Sequence, residues 1–136
     1  MVSLDGVPSN IIAEINPDIL KTFQTSQDFD DLEYQLGKFI HEQFPPEEAF
    51  FGPVEVIKDA RRWLTEAKEI LARKLCKYQP DKIETTLTVA YITTIINNTF
   101  HLAEGISVLL GILILRRAAG KVSQWLCNEN ENEKKD

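Results

Sequence analysis

Apolar residues recur along most of this chain at steps of three and four, the spacing of one buried helix face. From Ile83 to Leu115 the pattern changes. There they occupy every side of any helix drawn through the sequence, and the only acidic or imidazole side chains are Glu84, His101 and Glu104. A helix apolar all round is either buried or membrane-spanning. The flanking segments are amphipathic and could cover it. The pattern therefore predicts an all-α protein: a four- or five-helix antiparallel bundle around residues 83–115.

Read in order, residues 1–10 lack a period and contain Gly6 and Pro8, which predicts a flexible N-terminus. Residues 11–127 read as one helical domain. Asn16-Pro17 is a cap followed by a first-turn proline, predicting a short helix from Pro17 to about Gln24, with a helical turn before it. Phe29, Leu32, Leu36, Phe39, Ile40 and Phe44 form the next stripe, capped at Thr25 or Ser26 and ended by Pro45-Pro46. After the connector 45–53, a long helix is predicted from Pro53 to about Tyr78 on Ile57, Ala60, Leu64, Ala67 and Leu71. Glu69 and Arg73 form a favourable pair on its polar face, and Arg62 and Glu66 a weaker one.

Asp81 with Glu84 resembles a capping box. Residues 85–96 conflict with the helical reading, because threonine, valine and isoleucine favour strands. No other segment except the short Phe50–Ile57 piece offers comparable strand character, and an isolated hairpin is marginal in water, so helix is expected. One helix from Asp81 to Leu126 would span about 69 Å, against a radius of gyration near 14 Å for a compact chain of this length. A break is therefore expected between Asn98 and Gly105. The next helix should run to about Cys127, with Arg116, Arg117 and Lys121 near its last turns, where cations suit the helix dipole. Residues 128–136 read as a disordered polar tail.

A membrane span needs roughly 20 mostly apolar residues. The purest run, Ile106–Leu115, is half that, and joining it to Thr85–Phe100 would bury Asn97, Asn98, His101 and Glu104 in lipid. The basic cluster after Leu115 and Trp125 do imitate a membrane flank, so a membrane-associated hairpin stays as a third alternative. The first 25 residues lack a signal-peptide pattern. Two cysteines make no disulfide framework, and reduced thiols in a cytoplasmic protein are expected; a bridge between two helix ends is the alternative.

Composition narrows the function. With a net charge of −6 and scattered basic residues, a nucleic-acid surface is not expected. No phosphate loop, nucleophile elbow or zinc-protease motif is present. His101 and Glu104 share a helix face and are weak metal candidates, but the carboxylate-bundle pattern needs a second pair, and His41 does not supply it. No cofactor is expected. Ser107 and Gly111 are small residues spaced for close helix approach. The last helix carries more apolar face than its partners obviously cover. These features predict a non-catalytic interaction module, an adaptor, regulator or assembly factor that binds another protein or itself, and most readily a homo-oligomer. Its candidate contact residues are Phe50, Phe51, Leu109, Ile112 and Leu113. The alternative is a small metal-binding or catalytic bundle using His101 and Glu104.

Overall fold

The computed structural model describes residues 1–45 and 52–128, and every regular element in them is helical. α1 (Ser9–Glu14) and α2 (Pro17–Thr25) separate at the expected pair. Asn16 Oδ1 accepts from the N–H of Asp18 at 2.8 Å and of Ile19 at 3.4 Å, while Pro17 sits where no donor is needed. α3 (Phe29–Gln43) begins at Asp28, not at Thr25 or Ser26. The Asp28 carboxylate accepts from Asp31 N–H at 3.1 Å, a stronger arrangement because its charge also meets the helix dipole. α4 (Pro53–Leu75) starts at the expected proline and ends at Cys76. On its surface Arg73 pairs with Glu69 as expected, but Arg62 turns back to Asp59 at 2.8 Å rather than to Glu66.

The N-terminal residues, expected to be flexible, are tied down. The Gln24 carboxamide accepts from Val2 N–H and donates to Val2 C=O, both at 2.8 Å, and Val7 is buried. The free edge of a side-chain amide thus replaces the partner that this non-helical backbone lacks.

The apolar stretch is helical but divided more often than its sequence predicts. α5 (Pro80–Thr86) opens on Pro80 after Gln79, and no side chain caps it, so the Asp81 capping box does not form. Leu87 and Thr88 leave the helix, and Thr88 Oγ1 caps α6 (Val89–Phe100) by accepting from Tyr91 N–H at 3.1 Å. The strand-prone threonines adopt helix because their hydroxyls are absorbed by the backbone. Thr85 donates to Asp81 C=O, Thr93 to Val89 C=O and Thr94 to Ala90 C=O, at 2.8, 2.7 and 3.1 Å. The expected break between Asn98 and Gly105 is present. His101 takes the left-handed conformation (φ 58°), which histidine tolerates better than most residues, and Asn97 Nδ2 donates to Leu102 C=O at 2.9 Å.

α7 (Glu104–Ala118) is shorter than predicted. Ala119 and Gly120 are both left-handed (φ 51° and 79°), and a π-helical turn (Gln124–Asn128) comes after them. Because α7 ends early, Arg116 and Arg117 fall in its last turn and Lys121 lies beyond it. α7 is covered on all sides, chiefly by α6, α2 and α3, and α3 packs on α4. Gly111 lies against Ile92 and Val89 of α6, so the small-residue seam of α7 closes within the chain. Leu109, Ile112 and Leu113 are buried there too. The surplus apolar face expected on the last helix is thereby used inside the chain, because α1, α2 and the N-terminal residues add cover the sequence pattern undercounts.

Cys76 and Cys127 form a disulfide with a Cα–Cα separation of 5.5 Å, correcting the expectation of two reduced thiols. It fastens the π-helical turn to the end of α4. Among the described residues no helix is long and apolar enough to cross a membrane.

Candidate functional site

The sequence-selected residues do not converge on one site. Phe50, Phe51 and the tail from residue 129 lie outside the described residues. Leu109, Ile112 and Leu113 are in the core. His101 is exposed on the α6–α7 link, and Glu104 is exposed in the first turn of α7. His41 Nε2 meets Asp59 Oδ2 of α4 at 2.7 Å, and Asp59 also holds Arg62. No group of three or more His, Cys, Asp and Glu among the described residues is arranged to hold a metal ion.

What the fold does assemble, where the ends of α3 and α6 meet the middle of α4, is an aromatic cluster. Trp63 of α4 stacks on Phe44 (centroids 6.3 Å apart, planes 7° apart) and meets Phe100 of α6 edge-on at 5.0 Å. Gln43 fixes the frame. Its Nε2 donates to His101 C=O and its Oε1 accepts from Ala103 N–H, each at 2.7 Å. The strained α6–α7 link is thus held against the end of α3 by one carboxamide. Phe44 nevertheless remains 43% exposed, and Val54, at the start of α4, is 61% exposed. These two flank, in sequence, the connector that carries Phe50 and Phe51.

A second feature escaped the sequence reading. Glu33 of α3 is fully buried and held by two arginines from different helices, Arg61 of α4 and Arg117 of α7. Arg61 Nε donates to Glu33 Oε2 at 2.6 Å, and its Nη2 donates to Asp30 Oδ1 at 2.7 Å. Hydrogen bonding to Glu33, then the charges of Glu33 and Asp30, raise the Arg61 pKa further above its usual value. Arg117 Nη2 donates to Glu33 Oε1, while its guanidinium lies 4.9 Å over the Phe29 ring. Beside this clamp is a cavity of about 420 Å³, walled by Phe29, Leu64, Ile114 and Trp125. Lys68 lies 4.3 Å over the Trp125 ring. In sequence Glu33 reads as one more polar residue beside Leu32. Only the meeting of α3, α4 and α7 makes it a buried carboxylate.

No protein-family model, curated protein or solved structure matches this chain. Its function therefore rests on the chemistry of its own surfaces.

Proposed function

We propose that this protein is a non-catalytic helical interaction module that pairs with a second copy of itself through the face bearing Phe44 and Val54. Its helices are read as an antiparallel bundle, with α3–α4 and α6–α7 as its two hairpins, and with partner binding at the end where α3 gives way to α4. The observation that carries the reading is the exposure of Phe44, which stacks on the Trp63–Phe100 pair, together with that of Val54 at the start of α4, when the apolar side chains of α7 are consumed by the core. Half-exposed aromatic residues backed by a rigid cluster are the usual anchors of protein interfaces.

A second copy fits the charges. Val54, Lys58 and Arg62 succeed one another at four-residue spacing along α4, and exposed Glu42 and Glu55 lie near in sequence to the two apolar residues. A two-fold interface brings the same patch together twice, so it needs both signs within that patch.

The test is sedimentation equilibrium of the full chain and of the Phe44→Ser/Val54→Ser variant. Each side chain is partly covered already, so each contributes about 1 kcal/mol on further burial, less than the full value of about 1.5–3 kcal/mol. Four such side chains per dimer give about 4 kcal/mol, close to a thousandfold rise in Kd. A wild-type chain that stays monomeric at all concentrations, or a variant that associates as tightly, overturns the reading.

A further inference from the structure

We infer that the cavity where the end of α4 meets α5 and α6 is a binding site for a small soluble phosphomonoester. It shares no residue with the proposed interaction face and does not depend on it. The cavity holds about 340 Å³, a size that suits a small ligand. Lys74 in the last turn of α4, Lys77 just beyond it, Lys82 of α5 and Tyr91 of α6 line it, with Ile95 as an apolar wall.

Charge carries the assignment. The whole chain has a net charge of −6, yet among the described residues three lysines and no carboxylate line this cavity. None of the three forms an ion pair among the described residues. The acidic side chains nearby in sequence are used elsewhere or stand outside it. Glu69 pairs with Arg73, Glu84 accepts from Ser123 Oγ at 3.4 Å, and Asp81 does not line the cavity. Helix dipoles do not explain the set. They favour Lys74 at the end of α4, but Lys77 lies past that helix and Lys82 is in the first turn of α5, where a cation is disfavoured.

The donors are partly ordered before a ligand arrives. Lys77 Nζ lies 5.5 Å, and Lys82 Nζ 4.6 Å, from the centroid of the Tyr78 ring. A cation–π contact holds an ammonium without neutralising it, so less freedom is lost on binding. The half-buried Tyr91 hydroxyl has no hydrogen-bond partner among the described residues. Burial raises its pKa, so it stays protonated and able to donate. Ammonium groups act as point charges, which suit the tetrahedral oxygens of a phosphate and do not need the planar match of a carboxylate. The bound phosphate would accept from the lysines and from Tyr91 while the body of the ligand rests on Ile95.

The experiment is an NMR titration of the isotope-labelled full chain with phenyl phosphate, above its second ionisation near pH 6, and separately with phenyl sulfate, its singly charged twin. Phenyl phosphate is expected to shift the amide signals of Lys77, Lys82 and Tyr91. Phenyl sulfate should bind at least about fivefold more weakly. The triple variant Lys74→Gln/Lys77→Gln/Lys82→Gln, at exposed positions where the fold should be kept, should weaken phenyl phosphate at least about tenfold. Lys21→Gln, at an exposed position of α2 outside the cavity, should leave binding unchanged. The assignment is wrong if up to about 10 mM phenyl phosphate, the weak end of small-ligand affinity, moves none of these signals. It is equally wrong if phenyl sulfate binds as well, if the triple variant binds as tightly, or if Lys21→Gln weakens binding as much. Co-sedimentation with phosphatidylcholine vesicles carrying phosphatidic acid separates the sources of the phosphate. Capture by those vesicles without a response to phenyl phosphate would make the ligand a lipid headgroup and overturn the soluble one.

Discussion

Two glycines sit inside long helices, and the structure gives them opposite fates on replacement by alanine. Gly37 is in α3 and Gly111 in α7. In either helix the change removes the backbone freedom of glycine and should add about 1 kcal/mol of stability. At Gly111 the new methyl would stand 3.4 Å from Ile92 Cγ2 and 3.5 Å from Val89 Cγ1, ordinary van der Waals contact, so most of the gain should be kept. At Gly37 it would stand 2.6 Å from both the Val56 carbonyl oxygen and Val56 Cγ1. A rotamer change can move Cγ1 but not the carbonyl, so α3 and α4 must separate to admit the methyl. Overpacking of this kind costs about 1–3 kcal/mol. The net expectation is a loss of about 1–2 kcal/mol for Gly37→Ala against a gain of up to about 1 kcal/mol for Gly111→Ala. Urea denaturation monitored by circular dichroism measures both, with an unchanged slope confirming that the same surface is exposed. If Gly37→Ala is as stable as wild type or more so, α3 and α4 do not cross as closely as the structure places them.

The core, the disulfide and a tyrosine supply further tests. Leu109→Asp places a charge where the wild-type side chain is 4% exposed, and should cost several kcal/mol and unfold the chain; a folded variant by circular dichroism would put Leu109 outside the core. Reducing the Cys76–Cys127 bridge, or Cys127→Ser, frees a loop with a sequence separation of 51; this should lower stability by about 4 kcal/mol on the loop-entropy relation, read as a drop in Tm. Desolvation, and then the charge of Tyr78, raise the Tyr91 phenol above its ordinary 10.0. The fold therefore favours neutral Tyr91, and that contribution is complete below about pH 10 and is lost as pH rises through the folded value. Tyr91→Phe should lose less stability than wild type between about pH 9 and 11, as denaturant midpoints will show.

The parts of the fold legible in the sequence are those set by local chemistry. Asn16-Pro17 and Pro53 announce helix starts because a cap and a fixed φ act within a few residues. The break near His101 comes from length alone, since an unbroken helix would outrun the molecule. What was illegible depends on distant partners. Thr88 caps a helix only because Leu87 turns inward to the core, and nothing in Leu-Thr-Val says so. Ala119 adopts a left-handed conformation that alanine does not favour, at the point where α7 gives way to the π-helical turn. Cys76 and Cys127 meet only after α7 ends early and the chain turns back on α4. Glu33 looks like a surface residue of α3 until Arg61 and Arg117 arrive from elements 28 and 84 residues away. The same holds for the candidate sites. Leu109, Ile112 and Leu113 were selected for their apolar character, which marks core and contact surface alike. Phe44, which the pattern assigns to the buried stripe of α3, lies past the end of that helix and is left half-exposed.

The pairing of two copies through Phe44 and Val54 is best tested by an isotope-filtered NOE experiment on a mixture of labelled and unlabelled full-length chains, which records only contacts between copies. Cross-copy signals are expected from the Val54 methyls and the Phe44 ring. An absence of intermolecular signals at concentrations where the chain is folded, or signals confined to other surfaces, would refute the pairing.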